Sequence, residues 1–519
     1  LLLVTERRGR LFTVSASIVL VLLAMLLLVS RAQATETIFW DNYAADPGSI
    51  GYSDISGAGG GALNLTGAEL EGPEGMAYDS ATGRIFVAGY ESGPDEKGQI
   101  IWANINGSGA GVLNTTGAPV DEPMGVAVDP VNRLIYWLNT DGPDNGSVAY
   151  ARLDGSGGGQ LNTTGAPAFD SPYRLGFDPV SGKVFWYDEI GTTDTIAFAN
   201  VNGSGGGTLD LSGAPTLGGV NGFTVDSAAG RLYWTEGDNL SYVSVNGGSG
   251  GAIDLTGADI RSAYGLALDP ANGTVYWGNY DSGSGENAGA IGLVRLSGGG
   301  GSISPSPAAP AKGPQDPVIV KSPTGTGVPA ITRNPKNRVE LSCSSGSWGA
   351  DAAGGNVYQA PNAFAYQWLL NGAPIAGATA PTLAASQAGQ YSCTVTGSNP
   401  VGSAAQTSAA INVKASKFKV TTKKKAKAEA GDLVTFKVKA VNQGDLKPKN
   451  AKLCVKLPKA AKDDLKAPKC KKLGLKGGAK KTLTLKVKVK GGADEGTDKL
   501  TFQVKGSAGK AAKSKIVVG

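Results

Sequence analysis

The chain has 519 residues and a net charge of +5, with 48 Lys and Arg against 43 Asp and Glu, 78 glycines, four cysteines and no histidine. That length exceeds a single hydrophobic core, so several domains are expected. The glycines punctuate runs of Leu, Val, Ile, Tyr and Trp without a Gly-X-Y period, which excludes collagen and wholesale disorder.

The absence of histidine excludes Ser-His-Asp and Cys-His nucleophile systems. Paired carboxylates in a glycosidase and metal-assisted hydrolysis by oxygen ligands stay open. The charge is split along the chain: residues 35–310 carry nine basic and 31 acidic side chains, a net of −22, whereas residues 416–519 carry 29 and eight, a net of +21. One region attracts cations and the other anions.

Arg7, Arg8 and Arg10 precede an apolar stretch at residues 11–29 and then Ala32-Gln33-Ala34. This order predicts a secretory signal peptide cleaved after Ala34, or, because 19 apolar residues just reach across a bilayer, an uncleaved signal anchor. The protein is therefore expected outside the cell, secreted or held at the surface. There the cysteines, which fall into sequential pairs, would form the disulfides Cys343/Cys393 and Cys454/Cys470.

Between Thr35 and about residue 305 an aromatic pair recurs: Phe39-Trp40, Tyr136-Trp137, Phe185-Trp186, Tyr233-Trp234 and Tyr276-Trp277, with Phe86-Val87 in the same phase. The second members are 47, 50, 49, 48 and 43 residues apart, the period of a propeller blade. Eight residues before the second member stand Asp79, Asp129, Asp178, Asp226 and Asp269, each ending a short apolar strand. Gly83, Gly182, Gly230 and Gly273 follow at the strand-to-strand turn, where Arg133 breaks the pattern. An acidic loop, a third strand, a Gly/Ser turn and a fourth strand ending in Thr-Gly-Ala or Ser-Gly-Ala complete each unit. Four short strands per unit predict a six-bladed, all-β propeller. The first unit lacks its apolar-Asp strand, so either Pro317-Val318-Ile319-Val320 or a segment near residues 290–303 is expected to close the ring.

These units resemble the YWTD repeats of low-density lipoprotein receptors, most closely at Tyr233-Trp234-Thr235-Glu236 with Asp226 upstream. The resemblance implies six blades and a non-enzymatic binding surface for a protein or polysaccharide partner. The phase of the repeated aspartates assigns them to turns, accepting backbone hydrogen bonds, and not to catalysis. The acidic loops leave one edge of the blades. They offer oxygen ligands for Ca²⁺, with Asp141, Asp144, Asp188, Glu189, Asp238 and Asp281 as cation candidates, although no calcium motif is present and charged turns explain the same residues without a metal. No cofactor is required by any motif. No non-repeating acidic pair marks a catalytic centre, so the sequence points to a binding protein, with an extracellular carbohydrate hydrolase or lyase and a structural spacer as alternatives.

Residues 306–316 read as a Pro-rich linker. Residues 317–415 carry Cys343, Trp368 and Tyr391-Ser392-Cys393, the order of an immunoglobulin-type sandwich, and resemble bacterial Ig-like surface modules. Residues 416–519 alternate apolar and polar, as in Val434-Thr435-Phe436-Lys437-Val438-Lys439, which predicts a second β-sandwich. It resembles the adhesion-related sandwich repeats of bacterial surface proteins. Its lysines, with Lys423, Lys424, Lys425, Lys471, Lys472, Lys480 and Lys481 as contact candidates, either solvate exposed strands or bind anionic cell-wall polymers or membrane head groups. Scarcity of aromatic residues there counts against a single-stranded nucleic-acid site.

Overall fold

The structure, a computed structural model, describes residues 36–91, 93, 97–140, 146–190, 193–280 and 289–519. The predicted signal segment, residues 1–34, lies outside the described residues. Among the described residues no helix is long and apolar enough to cross a membrane. The chain divides into two compact units, one of residues up to 324 with 349–363 and 398–404, the other of 325–348, 364–397 and 405–519.

In the first unit, five antiparallel four-stranded sheets follow one another in chain order. Their first strands are Pro73–Asp79, Pro123–Asp129, Pro172–Asp178, Val220–Asp226 and Ala263–Asp269. A further sheet holds Glu36–Asn42, Ser49–Asp54 and Gly61–Ala62, and its first strand is supplied from far along the chain by Pro314–Lys321, paired antiparallel to Glu36–Asn42. These first strands pack side by side in order, and Pro314–Lys321 returns to Pro73–Asp79. The ring is thus closed by the two ends of the repeat region, which leaves no inner edge open. The architecture is a β-propeller.

The aromatic pairs explain why the sheets stack. Adjacent residues on a strand point to opposite faces, so the two members of each pair enter different interfaces. Phe86 shares a buried cluster with Trp137, Tyr136 with Trp186, Phe185 with Trp234, Tyr233 with Trp277 and Tyr276 with Trp40. Phe39 and Val87 close the remaining interface. All five tryptophans are fully buried.

Residues 306–316, expected as a linker, are instead part of the propeller. Trp40 Nε1 donates to Pro310 O at 2.7 Å and Lys312 N donates to Asn42 Oδ1 at 2.9 Å. The same contacts recur elsewhere as Trp137 to Pro119 O at 3.2 Å and Asp121 N to Asn139 Oδ1 at 3.0 Å. Proline removes a donor but leaves its carbonyl, so a Pro-rich strip serves here as an acceptor for the indole.

Residues 349–363, expected in the immunoglobulin-type sandwich, also belong to the first unit. Val357–Tyr358 pairs parallel to Pro314–Lys321, and Tyr358 is buried edge-on against Tyr78 with ring centroids 5.0 Å apart. Ahead of it a 3-10 turn, Ala353–Gly355, lies on the propeller: Thr224 Oγ1 donates to Gly354 O at 3.1 Å, and a Cβ on Gly354 would stand 2.8 Å from Phe177 O. No side chain fits there without a backbone shift.

In the second unit, a disulfide joins Cys343 and Cys393 beside buried Trp368, and the Tyr391 hydroxyl donates to Gln387 O at 3.0 Å. The lysine-rich part consists of two five-stranded sheets enclosing one core that includes Phe418, Phe436, Leu485, Phe502 and Ile516. Strand Leu433–Asn442 alternates exposed and buried positions, with its lysines outward. Cys454 and Cys470 form the second disulfide. Asp445 receives an ion pair from Arg333 at 2.7 Å and the Lys414 N–H at 2.8 Å, which overcome the effect of burial and hold its carboxyl below the usual range.

Truncating one staple tests the stacking account. Trp186→Ala is expected to cost about 3–5 kcal/mol, measured by urea unfolding of the full chain. A loss under about 1 kcal/mol would contradict a structural role for the pair.

Candidate functional site

The first strands of the propeller sheets each begin at the edge from which the acidic loops leave, and most carry a register shift near their third residue. Such a bulge turns the backbone out of the ladder. Glycine occupies the spot as Gly75 (φ 107°), Gly125 (φ 56°) and Gly265 (φ 59°), because positive φ costs it nothing. Two strands break the rule, with Arg174 at φ 48° and Asp316 at φ 42°. A non-glycine residue held there stores strain, a common mark of functional positions.

These two side chains meet. Arg174 Nη1 lies 2.9 Å from Glu74 Oε2 and 3.6 Å from Asp316 Oδ2, and the guanidinium sits 5.3 Å from the centre of the Tyr264 ring. Asp41 and Gln315 belong to the same place in the ring, since Asp41 pairs in register with Gln315. Arg174, Glu74, Asp41 and Gln315 are all buried, the last two at 0% and 1% exposure. Both Asp41 oxygens and Gln315 Oε1 lack a hydrogen bond of full geometry, and only the Gly75 N–H acts on Asp41 as a donor. Three carboxyl groups therefore share one guanidinium in a water-poor setting, where an unpaired polar group is costly.

The titration behaviour follows from that imbalance. Burial pushes Asp41 well above the usual carboxylate range, the charges of Asp316 and Glu74 push further, and Arg174 only partly opposes them. Burial also raises Asp316 and Glu74 against the pull of Arg174. Arg174 stays protonated, because Glu74, Asp316 and Asp41 outweigh its own desolvation.

From Tyr264 an aromatic path leads outward. Tyr264 and Tyr280 lie 5.2 Å apart and Tyr280 and Tyr43 6.0 Å apart, with Tyr43 39% and Tyr280 36% exposed. The cluster is buried, yet this row of rings connects it to solvent. A second acidic pair stands on the same edge, where Glu236 is raised by burial and by the charge of Asp194.

The repeated aspartates occupy the opposite ends of the first strands. Asp129 Oδ1 accepts the Val131 and Asn132 N–H groups at 2.9 and 3.0 Å, and Asp226 Oδ1 those of Ala228 and Ala229 at 3.0 and 2.9 Å. Asp79, Asp178 and Asp269 cap their turns in the same way. Asp79 and Asp269 also hold cations, Arg133 and Lys321. Asp188 is buried and accepts the Asp170 and Ser171 N–H groups at 3.2 and 2.9 Å, the part played in another blade by Asn139. Glu189 follows it on the strand and Asp238 sits in an exposed turn. Asp141, Asp144 and Asp281 lie outside the described residues. Among the described residues no group of three or more His, Cys, Asp and Glu has the arrangement to hold a metal.

Asp41, Glu74, Arg174, Gln315 and Asp316 sit at the acidic-loop end of the ring, its mouth, and none of them is among the candidates read from the sequence. Glu74, Arg174, Gln315 and Asp316 were hidden by the repeat they interrupt. A signal does exist: Ala118-Pro119-Val120-Asp121-Glu122-Pro123-Met124-Gly125 aligns with Ala309-Pro310-Ala311-Lys312-Gly313-Pro314-Gln315-Asp316. That alignment places Asp316 on a glycine position and identifies the closing strand.

No protein-family model matches the chain, and no curated protein matches it. Solved structures with a similar fold include a chain of a nidogen/laminin complex, with a TM-score of 0.42 at 15% identity over 55% of this chain and 98% of that one. TolB from Acinetobacter baumannii gives 0.39 at 11% over 55% and 66%, and a gluconolactonase from Xanthomonas campestris gives 0.35 at 14% over 54% and 85%. These are likenesses of fold alone.

Removing either charge type at the mouth has opposite consequences. Arg174→Met strands the buried carboxyls of Asp41 and Glu74 and the largely covered one of Asp316, and is expected to destabilise the propeller by about 3–5 kcal/mol. Asp41→Asn removes a group that the fold prefers protonated. A raised carboxyl binds more protons folded than unfolded, so its cost to stability grows as pH climbs from the ordinary carboxylate range through the raised value. Asp41→Asn should therefore raise the melting temperature at pH 7 and leave it unchanged near pH 3, as followed by thermal unfolding at both pH values. Destabilisation at pH 7 would contradict this account.

Proposed function

We propose that the protein is an extracellular binding protein in which a six-bladed propeller presents to a partner the exposed Tyr43 and Tyr280, with the buried Asp41, Glu74 and Arg174 and the largely covered Asp316 behind them. In this reading the second unit is an Ig-like spacer followed by an adhesion-type sandwich that holds the protein on an anionic envelope. The observation that carries the binding role is the pair of Asp41 oxygens without a hydrogen bond of full geometry, in a mouth where carboxyls outnumber the guanidinium three to one. A ligand bringing a cationic donor, such as a Lys or Arg side chain of a partner protein, would satisfy these oxygens and stack along Tyr264, Tyr280 and Tyr43. The net charge of −22 over residues 35–310 would draw such a partner in.

The test is retention on an array of short lysine- and arginine-containing peptides beside a glycan array. The wild-type chain is expected to hold cationic peptides at pH 7 and release them in acid as the mouth carboxyls take up protons, with at least tenfold weaker binding for Asp41→Asn. Equal binding by wild type and Asp41→Asn would overturn the reading.

One observation favours a second reading. A carboxyl whose protonated form is favoured by burial, beside others that interact with a cation, is the arrangement of an acid/base pair. Turnover of an oligosaccharide by the wild type, lost in Asp41→Asn while peptide retention is absent, would make the protein a carbohydrate hydrolase or lyase instead.

A further inference from the structure

The lysines of the second sandwich are not scattered evenly. In the sheet built from Lys425–Ala428, Ala512–Val518, Gly496–Lys505, Lys452–Lys456 and Lys471–Lys472, strand pairing sets Lys425 opposite Lys515 and Lys515 opposite Lys499. On the other side of the sheet Lys505 stands opposite Lys452 and Lys452 opposite Lys472. Two rows of three facing lysines result, all six exposed. Lys499 and Lys505 lie on one face of their strand, since Leu500 and Phe502 between them point into the core. Strand spacing puts neighbours in a row about 4.8 Å apart at the backbone, and the rows about 20 Å apart along the strand.

Like charges directly opposite one another on a sheet destabilise it. Among the described residues none of the six is ion-paired with a carboxylate. Lys505 also lines a groove of about 660 Å³ with Lys456, Lys462, Lys466 and Lys490 over a floor of Val455, Leu457 and Leu465, and among the described residues no acidic side chain lines it. Lys505 joins the second row to the groove, and among the described residues no ion pair neutralises the rows or the groove lysines.

We propose that this face binds a linear polymer of phosphodiesters or phosphates, lying along the lysine rows and into the groove. The inference rests on the reading of the sandwich as the envelope-binding part and names the surface and the ligand class. Charge in line at a regular spacing matches a polymer with one anion per repeat. Lysine is a compact point charge suited to phosphate. Its affinity should fall steeply with salt, as counterion release requires.

The experiment compares the full wild-type chain with two triple variants of equal charge change. Lys425→Glu/Lys452→Glu/Lys499→Glu alters the rows, and Lys437→Glu/Lys439→Glu/Lys486→Glu alters the outer face of the opposite sheet. The row variant sets a carboxylate opposite a lysine at every pairing, so it should fold, and Lys→Gln at the same positions gives a second check. Binding of inorganic polyphosphate is followed by anisotropy over a salt series, with polyglutamate and phosphatidylserine vesicles as other arms. The expected result is at least a tenfold loss of polyphosphate binding for the row variants and less than threefold for the opposite-sheet variant, with unchanged unfolding temperatures. Equal losses in both variants, or polyglutamate or vesicles bound as well as polyphosphate, would overturn the inference and leave envelope binding standing. A wild type that binds neither polyphosphate nor isolated envelopes would overturn the envelope reading itself.

Discussion

The propeller depends on one constraint, the opposite facing of adjacent residues on a strand. Because Tyr136 and Trp137 are neighbours, one must enter the interface with the following sheet and the other the interface with the preceding one. Repeating that pair turns a row of small sheets into a ring, since every sheet offers one member of its pair to each neighbour, aromatic everywhere except at Val87. Closure then requires only that the last interface find its partners. Tyr276 with Trp40, and the strand Pro314–Lys321 beside Glu36–Asn42, supply them.

A ring closed this way has a mouth, and the mouth is where local rules are broken. Gly75, Gly125 and Gly265 satisfy the bulge at no cost, whereas Arg174 and Asp316 adopt positive φ against their preference. The strain is coupled to an electrostatic imbalance, because one guanidinium serves several buried carboxyls. Both costs are borne by the aromatic interfaces below. The other end of the ring shows the reverse: there the aspartates are fully engaged by turn N–H groups, and Tyr358 and Gly354 pack onto it.

The blade grammar was legible from sequence because it recurs. The aromatic phase, the turn aspartates and the alternating strands of the last domain each appear several times over. What was not legible occurs once. Asp316 lies in a Pro-rich strip that looks like a spacer until Trp40 is seen to donate to Pro310. Glu74 and Arg174 are two residues among many on apolar strands, and their meeting depends on sheets 100 residues apart in sequence. Residues 349–363 sit between Cys343 and Cys393, so their sequence position alone assigns them to the sandwich. The lysine rows were visible as composition, but which lysines face one another is a matter of strand register.

The claim on which the site depends is that Asp41 is a buried carboxyl waiting for a cation. A ¹³C NMR pH titration of its side chain, in the free chain and with a bound lysine-containing peptide, addresses this directly. The expected result is a titration well above the usual carboxylate range in the free protein that moves down when the peptide binds. A titration near the ordinary value of about 4, unmoved by the peptide, would contradict the account.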